Sequence, residues 1–293
     1  MLEFREINIE DRFWISELLR KSDYRGCEYS FANNLAWQRL SNSKIARFKD
    51  FYIVATQEPS FIFPAGDGDY LEVLGEMKKY IGNEPLKITN ITEEILPIIE
   101  EFTTNFNLEF SIINCIDWWD YVYLQEDLAN LKGKKYDKKR NHLNKFYEYN
   151  WKYRPLLKEY FDECIAFAAI TYNKRDGFNE RSSVVEQYAI DRFFEYFEEM
   201  NLQGGTLWIN EVLVAFTIGE QLNSDTFCIH IEKADINYHG AFTAINHQFA
   251  KTLNCKYINR EEDMGILGLR KSKKSYYPCF QIEKNTVIIT GSV

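Results

Sequence analysis

Residues 226–242 read TFCIHIEKADINYHGAF, and the folding of this stretch decides the architecture of the second half of the chain. From Thr226 to Glu232 the side chains follow the two-residue period of a strand, with Phe227, Ile229 and Ile231 on one face and Cys228, His230 and Glu232 on the other. Beyond Lys233–Tyr238 the period changes. Gly240 opens a segment whose Phe242, Ile245, Phe249 and Leu253 share one face at helical spacing. A strand that breaks and feeds a helix N-terminus gathers free N–H groups and the positive end of a helix dipole, a seat for a phosphate or pyrophosphate. Gly240 would let a ligand come close to the backbone there, although a simple helix cap explains the same glycine.

Upstream of this stretch, Thr206–Ile209 and Val212–Glu220 read as strands joined tightly through Asn210-Glu211, preceded by helices over Leu157–Tyr172 and Val184–Met200. The second of these helices has Ser183 and Glu186 at capping-box spacing. Downstream lie a strand, Lys256–Asn259, a mixed segment, and final strands around Pro278–Ile289. The first half repeats the order of elements without a residue-level repeat. A helix carries Trp14, Ile15, Leu18 and Leu19, and a meander runs through Ile45–Phe48, Phe51–Ala55 and Ser60–Phe63 with a turn at Glu58-Pro59. Helices near 71–80 and 92–102 and strands near 110–114 and 121–125 follow. A chain of 293 residues exceeds the size at which one core stops growing. The expectation is an α/β protein with mixed sheets in two domains, 1–130 and 131–293, the second carrying the candidate active site.

Composition narrows the function. Hydrophobic residues make up 45% and aromatic residues 16%, enough for two packed cores and too much for global disorder. No apolar run approaches the roughly 20 residues of a spanning helix, and the opening MLEFREINIEDRF does not read as a secretory signal. Six scattered cysteines, without a CxxC pair or clustered histidines, point to reduced, buried thiols, no metal and a cytoplasmic location. The net charge of −9 argues against general nucleic-acid affinity, yet residues 132–145, KGKKYDKKRNHLNK, carry +6 and leave −15 for the rest. Lys139 and Arg140 in that stretch could attract a polyanion such as tRNA, a phospholipid surface or a nucleotide, or simply line a solvated helix face.

The candidate chemistry lies in a few places. His230 and Glu232 could supply a general base or orient an amine, or could only satisfy each other at a sheet surface. Residues 260–271, REEDMGILGLRK, have arginines able to grip a carboxylate or phosphate and acids able to bind an amine, in a composition that an ordinary charged loop shares. The pairs Trp118-Trp119 and Tyr276-Tyr277 read as packing. No nucleophile elbow, Walker loop, dinucleotide fingerprint or HExxH is present, which favours direct transfer between two bound substrates over a covalent nucleophile.

Several stretches together resemble a bacterial family grouped with the carboxy-terminal domain of phosphatidylglycerol lysyltransferases. They are Lys138-Lys139-Arg140-Asn141-His142 with Asn144, Glu220–Thr226, His230–Ala234, and Ile258–Glu261 through Gly268–Lys271, Ser275-Tyr276 and Pro278. The resemblance covers nearly the whole chain. It implies a tandem pair of GNAT-like acyltransferase domains, similar also to the Fem-type peptidoglycan aminoacyltransferases. The acetyltransferase signature Arg/Gln-x-x-Gly-x-Gly/Ala is degenerate here, with Asn237, Gly240 and Phe242 at its three positions. The function implied is an acyltransferase acting on an amine or hydroxyl of a small-molecule or lipid acceptor, with peripheral membrane contact allowed. Coenzyme A thioester is the first donor and aminoacyl-tRNA the alternative; a binding protein that has kept the fold without activity is a third reading. His230 or Glu232 would assist proton removal, and Asn237, His239, Gly240, Ala241 and Phe242 would hold the donor, which Lys139 and Arg140 attract. Arg260, Glu261, Asp263, Arg270 and Tyr276 would shape the acceptor site.

Overall fold

The computed structural model describes residues 2–56, 60–172 and 180–292, so the Glu58-Pro59 turn lies outside the described residues. In chain order, α1 (Arg12–Ser22) and α2 (Phe31–Ser41) precede β1 (Lys44–Phe48), β2 (Phe51–Ala55), β3 (Ser60–Gly66), α3 (Tyr70–Ile81), β4 (Leu86–Ile91), α4 (Leu96–Asn105), β5 (Glu109–Ile113) and β6 (Asp120–Leu124). Next come α5 (Gln125–Asn130), α6 (Asp137–Phe146), β7 (Trp151–Pro155), α7 (Phe161–Tyr172), α8 (Glu180–Glu195), β8 (Gln203–Ile209), β9 (Val212–Gln221) and β10 (Thr226–Ala234). The chain closes with α9 (Ala241–Ala250), β11 (Tyr257–Asn259), α10 (Leu267–Lys274), β12 (Phe280–Ile282) and β13 (Asn285–Thr290).

The strands form two sheets, ordered β1-β2-β3-β4-β13-β5 and β12-β6-β11-β10-β9-β8-β7. Each is mixed: β3 with β4 and β10 with β11 are parallel, while β1, β2 and β3 form the expected antiparallel meander. The mixed α/β class read from the sequence holds. Two compact units result, one of Met1–Tyr121, Glu262–Arg270 and Gln281–Val293, the other of Val122–Glu261 and Lys271–Phe280. They interleave along the chain, whereas the division at 130/131 is linear. Among the described residues no helix is long and apolar enough to cross a membrane.

The first unit is built on alternation and capping. Asp69 caps α3 by accepting from the backbone of Leu71 and Glu72, and the helix ends at Gly82 with a φ of 64°. Its Val73, Leu74 and Met77 pack with Ile53, Phe61, Leu86 and Ile88 of the sheet and with Ile99 and Phe102 of α4. The last strand, β13, inserts between β4 and β5, and its alternate residues Val287 and Ile289 complete that core.

In the second unit the β8–β9 hairpin turns through Asn210 and Glu211, whose φ values of 49° and 62° suit a two-residue hairpin turn. Ala244 and Ile245 of α9 pack with Leu207, Val214 and Ala215 of the sheet and with Leu143 and Phe146 of α6. Helix α8 is already under way at Ser183, where the capping-box spacing placed its start.

Ile289→Ala in β13 should lower unfolding stability by about 2–5 kcal/mol, because it opens a cavity in the first unit's core. Ile112→Ala on β5, where the side chain is 48% exposed, should stay within about 0.5 kcal/mol. Urea denaturation of the two variants checks whether β13 is integral to that core.

Candidate functional site

The decisive local feature is a bulge in β10. Against β9 the register runs Ile229 opposite Gly219 and then Ile231 opposite Ile218, so His230 has no counterpart. One extra residue reverses the face on which later side chains emerge. Before the bulge, Phe227 packs on Phe249 of α9 with ring centroids 5.7 Å apart. His230 lies on the opposite side, stacked on Phe193 of α8 at 5.3 Å. After the bulge the sides exchange: Glu232 accepts from Asn246 of α9 at 3.3 Å, and Lys233 reaches Glu186 of α8 at 2.6 Å. The single face shared by Cys228, His230 and Glu232, read from strict alternation, is therefore corrected. His230 and Glu232 face opposite sides of the sheet.

His230 is fully buried between two carboxylates, with Nδ1 2.9 Å from Glu261 Oε1 and Nε2 3.0 Å from Glu220 Oε1. Burial disfavours the charged ring, but Cys228 and the two carboxylates outweigh it and raise the pKa well above the ordinary histidine value. An imidazolium donating from both nitrogens has no lone pair with which to take a proton. In this state His230 ties β10 to its neighbours and is not available as the general base expected of it.

On the other face, Glu232 is the centre of a second cluster. Arg260, at the end of β11, donates Nη2 to Glu232 Oε1 at 2.8 Å, and both side chains are nearly buried. The guanidinium lies 5.0 Å from the ring centre of Tyr276 and 5.8 Å from that of Tyr123. Lys139, projecting from α6, places Nζ 3.5 Å from the centre of the same Tyr276 ring. Burial and then the charge of Arg260 pull its pKa down to about 8, against the opposing pull of Glu232. Tyr276 is buried and donates to Thr243 Oγ1 of α9 at 3.4 Å, while Lys273 Nζ holds the backbone carbonyls of Arg260 and Glu261.

Two buried polar atoms of this cluster have no hydrogen-bond partner among the described residues: Arg260 Nη1, a donor, and Asn246 Oδ1, an acceptor. Burying such an atom unpaired costs about 1–3 kcal/mol, so a pair of them around one carboxylate points to a place kept for a ligand.

The remaining expected residues are engaged in packing. Gly240 caps α9 at a φ of 86°, and a Cβ there would lie 2.2 Å from the backbone oxygen of His142. The close approach it permits is that of α6, and His239 stacks on His142 with centroids 4.9 Å apart. Asn237 turns back onto Asp235 through its backbone and side-chain nitrogens at 2.9 and 2.8 Å. Ala241 is buried and Phe242 packs against the same core. Arg140 is tied to the carbonyls of Leu131 and Gly133 and to Asp137, stapling the turn after α5.

Of the acceptor-site residues, Arg260, Glu261 and Tyr276 belong to the second unit with the Glu232 cluster. Asp263 and Arg270 belong to the first and pair bidentately at 2.7 Å for both bonds. Burial opposes the Asp263 charge, but Arg270, Tyr121 and the Gly265 amide overcome it and hold its pKa at about 2. Sequence reasoning missed Asn246. The available signal was a run of polar residues, Thr243, Asn246 and His247, on a helix where all three are buried.

The family model described as phosphatidylglycerol lysyltransferase, C-terminal, matches residues 19–287. A conserved protein of unknown function from Bacteroides thetaiotaomicron is 32% identical and superposes with a TM-score of 0.88, covering 99% of this chain and 100% of that one. L-PGS from Bacillus licheniformis, at 13% identity, shares the fold with a TM-score of 0.61 over 94% of this chain and 90% of its own. An uncharacterized protein of Mycoplasmoides gallisepticum is 26% identical over 174 residues, 57% of this chain. That match spans only about half, 55%, of the length of this curated relative.

Gly240→Ala should destabilise the chain by more than the roughly 1–2 kcal/mol of a left-handed non-glycine residue, because its methyl meets the His142 carbonyl. Denaturation without any ligand present reads this out. An unchanged midpoint would show that packing against α6 does not require the glycine.

Proposed function

The chain belongs to the phosphatidylglycerol lysyltransferase C-terminal family, and from that premise we propose an aminoacyltransferase that moves an aminoacyl group from aminoacyl-tRNA to a hydroxyl of an anionic lipid headgroup. The observation that carries this reading is the opposite polarity of the two unpartnered atoms beside Glu232. An aminoacyl ester bears a carbonyl oxygen and an ammonium on neighbouring carbons. Arg260 Nη1 complements the first; Asn246 Oδ1 and the Glu232 carboxylate complement the second. A plain acyl thioester offers only the carbonyl and would leave the Asn246 acceptor buried and unpaired, at about 1–3 kcal/mol. At Gly240 the space a Cβ would take is filled by the His142 carbonyl, so the glycine is explained by the approach of α6 without a pyrophosphate.

In the reaction proposed, the acceptor hydroxyl oxygen attacks the ester carbonyl and a C–O bond forms. Arg260 donates to the oxygen that becomes negative, and the tetrahedral species collapses by breaking the bond to the tRNA ribose oxygen. The acceptor's proton passes to Lys139, whose pKa of about 8 leaves a neutral fraction near neutrality, and returns to the departing ribose oxygen. Glu232 holds the ammonium through both steps. The basic stretch 132–145 draws in a polyanionic donor and an anionic lipid surface.

The test is transfer of radiolabel from lysyl-tRNA into the lipid extract of phosphatidylglycerol vesicles. The rate should rise with pH through an apparent pKa of about 8, and Lys139→Met should abolish that rise. Arg260→Lys should lower kcat by about 100–1,000-fold, the usual effect of losing one oxyanion donor. Saturable thermal stabilisation by coenzyme A, with no lipid labelling from any aminoacyl-tRNA, would overturn the reading in favour of a thioester donor.

A further inference from the structure

The face of β10 turned away from Glu232 carries a cluster that the transferase reading does not use. Cys228 Sγ lies 3.8 Å from His230 Nδ1 and 4.0 Å from Glu261 Oε1, and the last two atoms are 2.9 Å apart. All three residues belong to the second unit, and both Cys228 and His230 are buried. We propose that Cys228, His230 and Glu261 bind a divalent cation of the zinc type, with Glu220 supporting the histidine from behind.

Distance is the first support. Zinc bonds sulfur at about 2.3 Å, imidazole nitrogen at about 2.0–2.1 Å and carboxylate oxygen at about 2.0–2.2 Å, so ligand atoms sharing one ion lie roughly 3–4 Å apart. The three separations here fall around that range. Ligand chemistry is the second. A thiolate, an imidazole and a carboxylate form a set that suits zinc and excludes magnesium or calcium, which take oxygen ligands. One thiolate and one carboxylate also offset a charge of +2 while the imidazole stays neutral.

The surroundings fit a metal-binding histidine. With a metal bound, Glu220, 3.0 Å from Nε2, would hold the tautomer whose Nδ1 lone pair faces Cys228 and Glu261, the carboxylate–histidine–metal arrangement. Glu261 is held at a φ of 58°, unusual for a residue with a side chain, by its N–H to Asn259 Oδ1 at 2.7 Å and by Lys273 on its carbonyl at 3.0 Å. That backbone is kept in an uncommon conformation while its carboxylate reaches the cluster. Glu220 and Glu261 are 14% and 20% exposed, so the rim of the cluster touches solvent and an ion has a way in.

Without metal, the histidine is an imidazolium between two carboxylates. On loading, the cation replaces the Nδ1 proton and the thiol proton, so two protons leave for each ion bound and no electron moves. A water or the second Glu261 oxygen completes the coordination. The ion would pin β10 to the residue next to Arg260 and so fix the backbone from which Arg260 reaches Glu232. A second cysteine-containing cluster, Cys27, Glu28 and Asp120, is a different case. The Lys284 ammonium already lies 2.6 Å from Glu28 and 2.7 Å from Asp120, and fills the role of the cation there.

The test uses the full chain, stripped with a chelator and titrated with cobalt(II), whose bond to a thiolate gives a near-ultraviolet charge-transfer band. A saturating band at one cobalt per chain, displaced by zinc, is expected. Cys228→Ser should lose that band, and Cys279→Ser, at an exposed thiol, should keep it. Glu220→Gln should keep the band but weaken affinity by about 10–100-fold, the usual effect of losing a histidine's supporting carboxylate. No thiolate band, or a band that survives Cys228→Ser, would overturn the proposal. Because metal content and spectrum are read without turnover, the outcome is independent of whether the chain is a transferase.

Discussion

The bulge at His230 is the constraint on which the rest of the second unit's chemistry depends. One residue without a counterpart on β9 turns the chain by half a strand period. Cys228 and His230 then meet Glu220, Glu261 and the α8 ring of Phe193, while Glu232 is delivered to Arg260 and Asn246. Without that residue, His230 and Glu232 would share one side of the sheet, and the imidazole would lie beside the Glu232 carboxylate in place of Arg260 and Asn246. The bulge places the two clusters on opposite faces of the sheet.

The Glu232 cluster is unusual in its charge balance. Arg260 and Lys139 share the Tyr276 ring, and Glu232 is the carboxylate that faces them. Two cations beside one anion favour the arrival of further negative charge, including the charge that develops on a carbonyl oxygen during transfer. The lowered pKa of Lys139 relieves part of the same imbalance, since a neutral amine is tolerated where a third buried charge is costly. Charge excess, an unpartnered donor and an unpartnered acceptor thus meet at one carboxylate, and the proposed aminoacyl ligand would answer all three.

Much of this was legible in the sequence where the signal is local. The β1–β3 meander followed from alternation, the β8–β9 hairpin from its two turn residues, and α9 from the spacing of Ile245 and Phe249. The bulge was not legible, because Phe227, Ile229 and Ile231 keep an apolar alternation straight through it. The pairing of β13 between β4 and β5 was equally hidden, since a strand's own residues do not name its partner across nearly two hundred positions of chain. Helix α10, LGLRKSKK, reads as a charged loop because it has too few apolar residues to show a period. Within the site, Glu232, Arg260 and Lys139 were legible as candidates from residue type, whereas Tyr276 read as packing and became a candidate only through the family resemblance. Their assembly around one carboxylate was not, because it depends on the reversed face of β10 and on Asn246, an amide in an otherwise apolar helix face.

The central claim is that the cluster around Glu232 holds an aminoacyl group, and a crystal structure of the chain soaked with lysinamide tests it most directly. This compound carries the carbonyl and both amines of the lysyl group without the tRNA. The account predicts its carbonyl oxygen within hydrogen-bond distance of Arg260 Nη1 and its α-amine at Asn246 Oδ1 and the Glu232 carboxylate. Lysinamide bound elsewhere, with those two polar atoms still unpartnered or bridged only by water, would contradict it.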